Sequence, residues 1–304
     1  MPIKKTDKIW FNGKLVDWDK AQVHVLTHAL HYGSGVFEGI RCYKTAKGPA
    51  VFRLREHVER LFQSARLYYM DVPYSVEEVM QAIKDTIKAN RIDACYIRPI
   101  VFRGYGEMGL NPLNAPVDVA VAVWPWGTYL GEEGLKNGIR VMISNVERFN
   151  SNVIPTRAKA TGQYINSILA KVQALKAGYE EAILLDNRGL VSEGPGENIF
   201  LVKAGRLYTP AEHASLLMGI TRESVIRLAE DLGIEVVETD VDRGMLYTAD
   251  EVFFTGTAAE VTPIREIDGH VIGKPGPVTK SIQKRFFEVV AGSDKSFEHW
   301  LARV

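Results

Sequence analysis

The sequence predicts an α+β protein of two domains, on three observations. The chain is 304 residues long, a length that favours about two domains. Strand-like segments arrive both in hairpin pairs and next to helices, which fits two α+β domains better than one regular parallel winding. A segment rich in breakers, Pro125-Trp126-Gly127 through Gly131-Glu132-Glu133-Gly134, lies between two apolar strands and marks a boundary. The expected division is a small N-terminal domain over 1–124, an interdomain loop over 125–136 and a large domain over 137–304.

The elements follow in order. Ile9-Trp10-Phe11, Asn12-Gly13 and Leu15-Val16 read as a β-hairpin with an Asn-Gly turn. A helix is expected over 57–70, because Val58, Leu61, Phe62, Ala65 and Tyr69 share one face at helical spacing. A second runs from Ser75 to about Asn90. Ser75 with Glu78 three residues on is a capping box, and Val76, Val79, Met80, Ile83 and Ile87 form its buried stripe. Segments 94–102 and 117–124 are strand-like. Beyond the boundary come a strand (139–144), a helix (163–177) and strands at 182–186 and 198–202. A helix over 221–232, strands at 234–237 and 252–255, and a final helix over 279–290 complete the pattern.

Composition narrows the function. The chain has 37 basic and 37 acidic residues, a formal charge of zero, with no long basic run such as nucleic-acid binding requires. Two cysteines, Cys42 and Cys95, are too few for a disulfide scaffold, a Cys-based zinc site or an iron–sulfur cluster. Met1 to Lys8 lacks the apolar segment of a signal peptide, and the purest apolar run, Val119 to Trp124, is too short to span a bilayer. A soluble cytoplasmic protein is expected.

Several apparent motifs fail on spacing. Gly33 to Gly39 has one residue too many for a dinucleotide fingerprint, and Gly269 to Lys274 is one short of a P-loop. His24, His28 and His31 would stack on one helix face, but no carboxylate or cysteine completes a metal set, and β-branched neighbours argue against a helix there. No Gly-x-Ser-x-Gly elbow is present.

Four local features in the second half carry chemistry together. Ala158-Lys159-Ala160-Thr161-Gly162 sets a lysine among small residues at a loop–helix junction. Glu193-Gly194-Pro195-Gly196-Glu197-Asn198 has an irregular backbone that aims a carboxylate. Gly219-Ile220-Thr221 and Gly256-Thr257-Ala258-Ala259-Glu260 each place glycine and a hydroxyl residue at an expected helix start, the second with a Thr257/Glu260 capping box. Free amides at helix N-termini bind phosphate. An amine, a carboxylate and two amide-lined phosphate sites are what pyridoxal phosphate requires: lysine bonds its aldehyde, a carboxylate keeps the ring nitrogen protonated, and amides with an arginine fork hold its phosphate. Arg60, on the helix of the first domain, is the candidate fork.

These residues also carry a resemblance. His28-Ala29-Leu30-His31-Tyr32-Gly33, Val36-Phe37-Glu38-Gly39-Ile40-Arg41, Tyr96-Ile97-Arg98-Pro99, Ala158-Lys159 with Tyr164, and the three later runs stand in the order seen in branched-chain amino-acid aminotransferases. The chain resembles that group of class IV (fold type IV) pyridoxal-phosphate enzymes over nearly its whole length. The resemblance implies a smaller N-terminal α/β domain and a larger C-terminal domain with a β-barrel-like core.

It also implies roles. Lys159 is the Schiff-base lysine, Glu193 the partner of the pyridine nitrogen and Tyr164 the donor to the ring's phenolic oxygen. Arg60, Ile220, Thr221 and Thr257 hold the phosphate. The amides of Thr257 and Ala258, with Tyr96 nearby, meet the substrate α-carboxylate. Phe37, Tyr32, Trp126, Tyr129 and Met108 wall the side-chain pocket, with Tyr32 and Met108 acting across a homodimer or a hexamer built from dimers. The implied reaction moves an amino group between leucine, isoleucine or valine and 2-oxoglutarate. A D-amino-acid aminotransferase or an aminodeoxychorismate lyase would reuse the same lysine and glutamate. Tyr96 and Arg98 are two apart on an expected strand and so point the same way, which puts Arg98 in reach of the distal carboxylate of glutamate.

Overall fold

A computed structural model describes residues 3–127 and 130–304. The chain forms two compact units. The first comprises Met1–Trp126, Ala158–Gln163 and Val289–Val304, the second Gly127–Arg157 and Tyr164–Glu288.

The first unit is built on a sheet in the order Leu301–Arg303, Gly48–Phe52, Ile40–Thr45, Cys95–Arg103, Val117–Trp124, Lys8–Phe11 and Lys14–Asp17, with Gly35–Phe37 also paired to Cys95–Arg103. The opening hairpin forms as its sequence demands: Asn12 (φ 46°) and Gly13 (φ 86°) both take the positive φ of a type I′ turn. Two helices, Leu54–Leu67 and Val76–Asn90, pack Val58, Leu61, Ala65, Val79, Ile83 and Ile87 into one core with Ile97, Val101, Val119, Val121 and Val123. The capping box at Ser75 and Glu78 is present in both directions.

Two expectations change here. The first helix starts at Leu54 and stops at Leu67, because Tyr69 turns left-handed (φ 54°) and the Met70 N–H closes back on Ala65 O. Tyr69 is thereby expelled to solvent although its spacing puts it on the apolar face. A one-turn helix also forms at His28–Tyr32. It is held from outside: His28 Nδ1 meets Ser34 Oγ at 2.6 Å and Nε2 meets Gly109 O at 2.8 Å, while His31 Nε2 meets Val25 O. Those nitrogens are engaged with the protein itself.

The second unit, among the described residues, is built on a mixed sheet in the order Val191–Glu193, Glu181–Leu185, Ile139–Ile143, Glu260–Ile267, Glu251–Gly256, Asn198–Lys203, Arg206–Pro210 and Val236–Thr239, with His270–Val271 paired to Glu260–Ile267. The first strand of that path comes back against Asn198–Lys203 and Arg206–Pro210, so the sheet curls into a half-barrel. Ile143, Ile183, Leu201, Phe254 and Ile264 fill it. Helices Tyr164–Lys176 and Ile220–Asp231 belong to this unit, as does Pro277–Val290 as far as Glu288.

The expected single crossing near 125–136 is corrected in two places. Residues 158–163 and 289–304 group with the first unit rather than the second. The reason is pairing that no local pattern encodes: Ala160 bridges Val36, and Leu301–Arg303 adds an edge strand to Gly48–Phe52.

Candidate active site

Lys159 sits on a loop fixed from both sides. Its N–H donates to Ser64 Oγ at 3.0 Å and its C=O accepts from the Phe37 N–H at 3.0 Å. Thr161 Oγ1 donates to Gly33 O at 2.8 Å, and Gln163 Nε2 donates to the Tyr68 hydroxyl. The loop then presses on Gly33 so closely that a Cβ at Gly33 would lie 2.7 Å from Gly162 Cα. Ala158 and Ala160 are buried on either side, so only the lysine side chain projects. Its Nζ stands 5.3 Å from the centre of the Phe37 ring, a cation over an aromatic face.

Arg60 lies two helical turns into Leu54–Leu67 and is not a solvated surface charge. Its guanidinium grips the buried Glu38, Nε to Oε1 at 2.7 Å and Nη2 to Oε2 at 2.8 Å, and His57 Nδ1 shares that carboxylate at 2.8 Å. Burial penalises the charged form of His57 and pushes its pKa down, against the pull of Glu38.

Strand Cys95–Arg103 carries an aromatic wall in the first unit. Tyr96 stacks on Trp126 (4.9 Å between centroids) and packs on Trp124 (5.3 Å). The Arg98 guanidinium lies 4.6 Å from the Phe37 ring and 5.4 Å from that of Tyr96, so Tyr96 and Arg98 do share a face. Arg98 makes no ion pair among the described residues, and its buried Nε has no hydrogen-bond partner. Any side chain at Gly39 would collide with the Tyr96 hydroxyl, 2.0 Å from its Cβ. Tyr32 and Met108 are exposed in this unit. Tyr129 lies outside the described residues.

In the second unit the irregular run after Val191–Glu193 sets the Glu193 carboxylate in an ion pair and between two hydrogen-bond donors. Arg148 Nε stands 2.9 Å from Oε1, the Leu217 N–H donates to Oε2 at 3.0 Å, and Asn198 Nδ2 approaches at 3.3 Å. Asn198 also bonds Leu217 O, which ties this carboxylate to the segment leading into helix Ile220–Asp231. That helix begins at Gly219 with no side-chain cap. A Cβ on Gly219 would stand 1.9 Å from Asn198 Oδ1, so glycine is required there. Ile220 and Thr221 are buried in the first turn. Tyr164 opens the helix Tyr164–Lys176 and is half-buried.

The expected helix start at Thr257 is corrected. Residues 257–259 form the turn of a hairpin in which Gly256 pairs with Glu260. Glu260 takes a left-handed conformation (φ 55°), as a three-residue hairpin loop requires, and the Thr257/Glu260 capping box does not form. Thr257 and Ala258 therefore lie in a β-turn and not at a helix start. Strand pairing across Glu251–Gly256 and Glu260–Ile267 overrode the local helix signal.

The family model described as amino-transferase class IV matches residues 35–267. The chain belongs to the class IV aminotransferase family. It is 51% identical to the branched-chain-amino-acid aminotransferase of Escherichia coli (strain K12), covering 100% of this chain and 99% of that protein. Among solved structures, an Escherichia coli branched-chain amino acid aminotransferase matches with TM-score 0.96 and 51% identity, over 98% of this chain and 99% of that one. The branched-chain amino acid aminotransferase of Thermobaculum terrenum in its PLP-form matches with TM-score 0.90 and 36% identity, over 98% of each chain.

In this class IV aminotransferase the candidate side chains are held by residues that the sequence alone did not single out. Glu38 and Asn198 lie inside the motifs, where a charged or amide residue within an otherwise small or apolar run was the available signal. His57 and Arg148 carried none.

Glu197 adds a pH response. Burial pushes its carboxyl up to about 8, reinforced by the nearby charge of Glu181 and opposed by the Gly196 N–H. The folded chain thus holds this proton more tightly than the unfolded one. The stabilisation is complete below the ordinary value of 4.5 and is lost as pH rises through about 8. Glu197→Gln, which mimics the protonated form, is expected to match the parent Tm near pH 5 and exceed it increasingly up to pH 9. Thermal unfolding across that range checks it; a constant offset would contradict it.

Proposed function

We propose that the chain is a pyridoxal-phosphate-dependent aminotransferase that exchanges the amino group between L-leucine, L-isoleucine or L-valine and 2-oxoglutarate in two alternating half-reactions. The observation that carries the reading is likeness over the whole chain to aminotransferases so named. Relatives of that name make a D-amino-acid aminotransferase or an aminodeoxychorismate lyase the less favoured alternative. The donor set fits the cofactor: a lysine held at its backbone, a buried carboxylate in an ion pair, an uncapped helix start with glycine at its head, and a guanidinium locked by Glu38.

The cofactor, when bound, supplies an electron sink for the carbon that loses its proton. In this reading Lys159 Nζ would hold the cofactor's aldehyde carbon and would move the substrate α-proton as general base and then acid. Glu193 accepts from the ring nitrogen, with Arg148 and Asn198 fixing its direction. Tyr164 donates to the ring's phenolic oxygen. Arg60, Thr257 and the first-turn amides of Ile220 and Thr221 take the phosphate. The Thr257 and Ala258 amides take the α-carboxylate, and Tyr96 is assigned to the same group. Phe37, Tyr96 and Trp126 wall an apolar side chain and exclude water, and Arg98 receives the distal carboxylate of the second substrate.

A homodimer or larger assembly belongs to the same proposal, with Tyr32 and Met108 serving the partner's pocket. Helix Tyr164–Lys176 supports it, since Ile165, Ile168, Leu169, Val172 and Leu175 are all exposed at helical spacing and water is a poor neighbour for such a stripe. A monomer in sedimentation equilibrium would remove this part. A cytoplasmic location accords with two buried free thiols, and no described helix is long and apolar enough to cross a membrane.

The test of the reaction is the visible spectrum of the holoenzyme. L-Leucine is expected to shift it and 2-oxoglutarate to restore it. A spectrum indifferent to L-leucine but shifted by D-alanine would overturn the assignment.

A further inference from the structure

Glu38 is fully buried, and the reaction as assigned gives it no task. Its N–H donates to Pro99 O at 2.9 Å, which pins the residue to strand Cys95–Arg103. Its carboxylate spends its oxygens on one helix. Oε1 takes Arg60 Nε at 2.7 Å, and Oε2 takes Arg60 Nη2 at 2.8 Å together with His57 Nδ1 at 2.8 Å. His57 and Arg60 are three apart on that helix and so reach the same point. Burial alone would raise the Glu38 pKa, but the charge of Arg60 and the His57 bond hold it well below the usual carboxylate range. An ionised carboxylate can only accept, so His57 Nδ1 carries the proton of the neutral ring.

Burying a charge is unfavourable, and an apolar pair of similar volume would stabilise the core as well. The geometry shows what the charge does instead. Two parallel bonds from one carboxylate fix a guanidinium in rotation as well as position. Left alone on a helix, Arg60 would sample many rotamers and would have to be ordered on each binding event.

We infer that Glu38 is a positioning residue: it locks the fork of Arg60 toward the phosphate of the cofactor and so sets how strongly the chain prefers the phosphorylated cofactor over its unphosphorylated form. The inference rests on Arg60 being a phosphate ligand, as assigned above.

The full chain, freed of cofactor, is titrated with pyridoxal phosphate and with pyridoxal, and the ratio of the two Kd values is the readout. Glu38→Gln keeps the shape but removes the charge and one acceptor. It is expected to raise the Kd for pyridoxal phosphate roughly 10–100-fold, the effect of disturbing a hydrogen bond to a charged group, and to change that for pyridoxal by less than about 3-fold. Glu38→Asp, which keeps the charge but shortens the reach, should give a smaller drop in the ratio. If Glu38→Gln does not fold, Glu38→Asp decides, and an unchanged ratio there overturns the inference.

Arg60→Ala separates the two ideas. If Arg60→Ala collapses the ratio while Glu38→Gln leaves it intact, or raises both Kd values equally, Glu38 does not position the fork. If Arg60→Ala itself leaves the ratio intact, the phosphate role of Arg60 fails and the inference falls with it. In an Arg60→Ala background, Glu38→Gln should have no further effect on the ratio.

Discussion

Lys159→Ala is expected to lower turnover at least roughly 10⁴-fold, because in the proposed reaction one amine serves both as the covalent anchor and as the group that moves the α-proton. The fold should survive. Ser64 and Phe37 bond the backbone of residue 159, not its side chain, and its neighbours Ala158 and Ala160 show that a methyl group fits the run. The variant should therefore unfold near the parent temperature. It should also lack the visible absorption that depends on the lysine–cofactor bond, and borohydride treatment of the parent should label Lys159. Label on another residue, or visible absorption that persists in the variant, would end the assignment.

Arg98→Ala is expected to divide the two half-reactions. Arg98 is a partly buried cation stacked on Phe37 and Tyr96, without an acidic partner among the described residues. A cation so placed has hydrogen-bonding capacity that a second carboxylate could satisfy. Losing a charged hydrogen bond of that kind should slow the glutamate and 2-oxoglutarate half-reaction roughly 100-fold in kcat/KM. The leucine half-reaction loses only packing of the side-chain stem and should fall less than about 10-fold. Single-turnover measurements of each half-reaction decide the matter, and equal losses would show that Arg98 supports the wall and does not read the distal charge.

The long elements were legible because their signals are local. The Asn12-Gly13 turn and the helix Val76–Asn90 depend on residues within one or two turns of chain, and both formed with the chemistry their sequence carries. Shorter strands such as Gly35–Phe37, Val191–Glu193 and Leu301–Arg303 lack a period long enough to detect. At Thr257 a sound local signal lost to strand pairing.

The family, a candidate for the reactive lysine and the alternation of strands and helices were legible in the chain, since these reside in residue types and short spacings. The tertiary structure decided which groups hold those residues in place. It attached the Lys159 loop to Gly33, Phe37 and Ser64, bound Arg60 to Glu38, and set Arg148 and Asn198 around Glu193. Each of these contacts except Asn198–Glu193 joins positions tens of residues apart or more. Periodicity constrains a residue through its sequence neighbours, whereas such an ion pair or bridge exists only after the intervening loop has closed, and that closure depends on the packing of the whole unit.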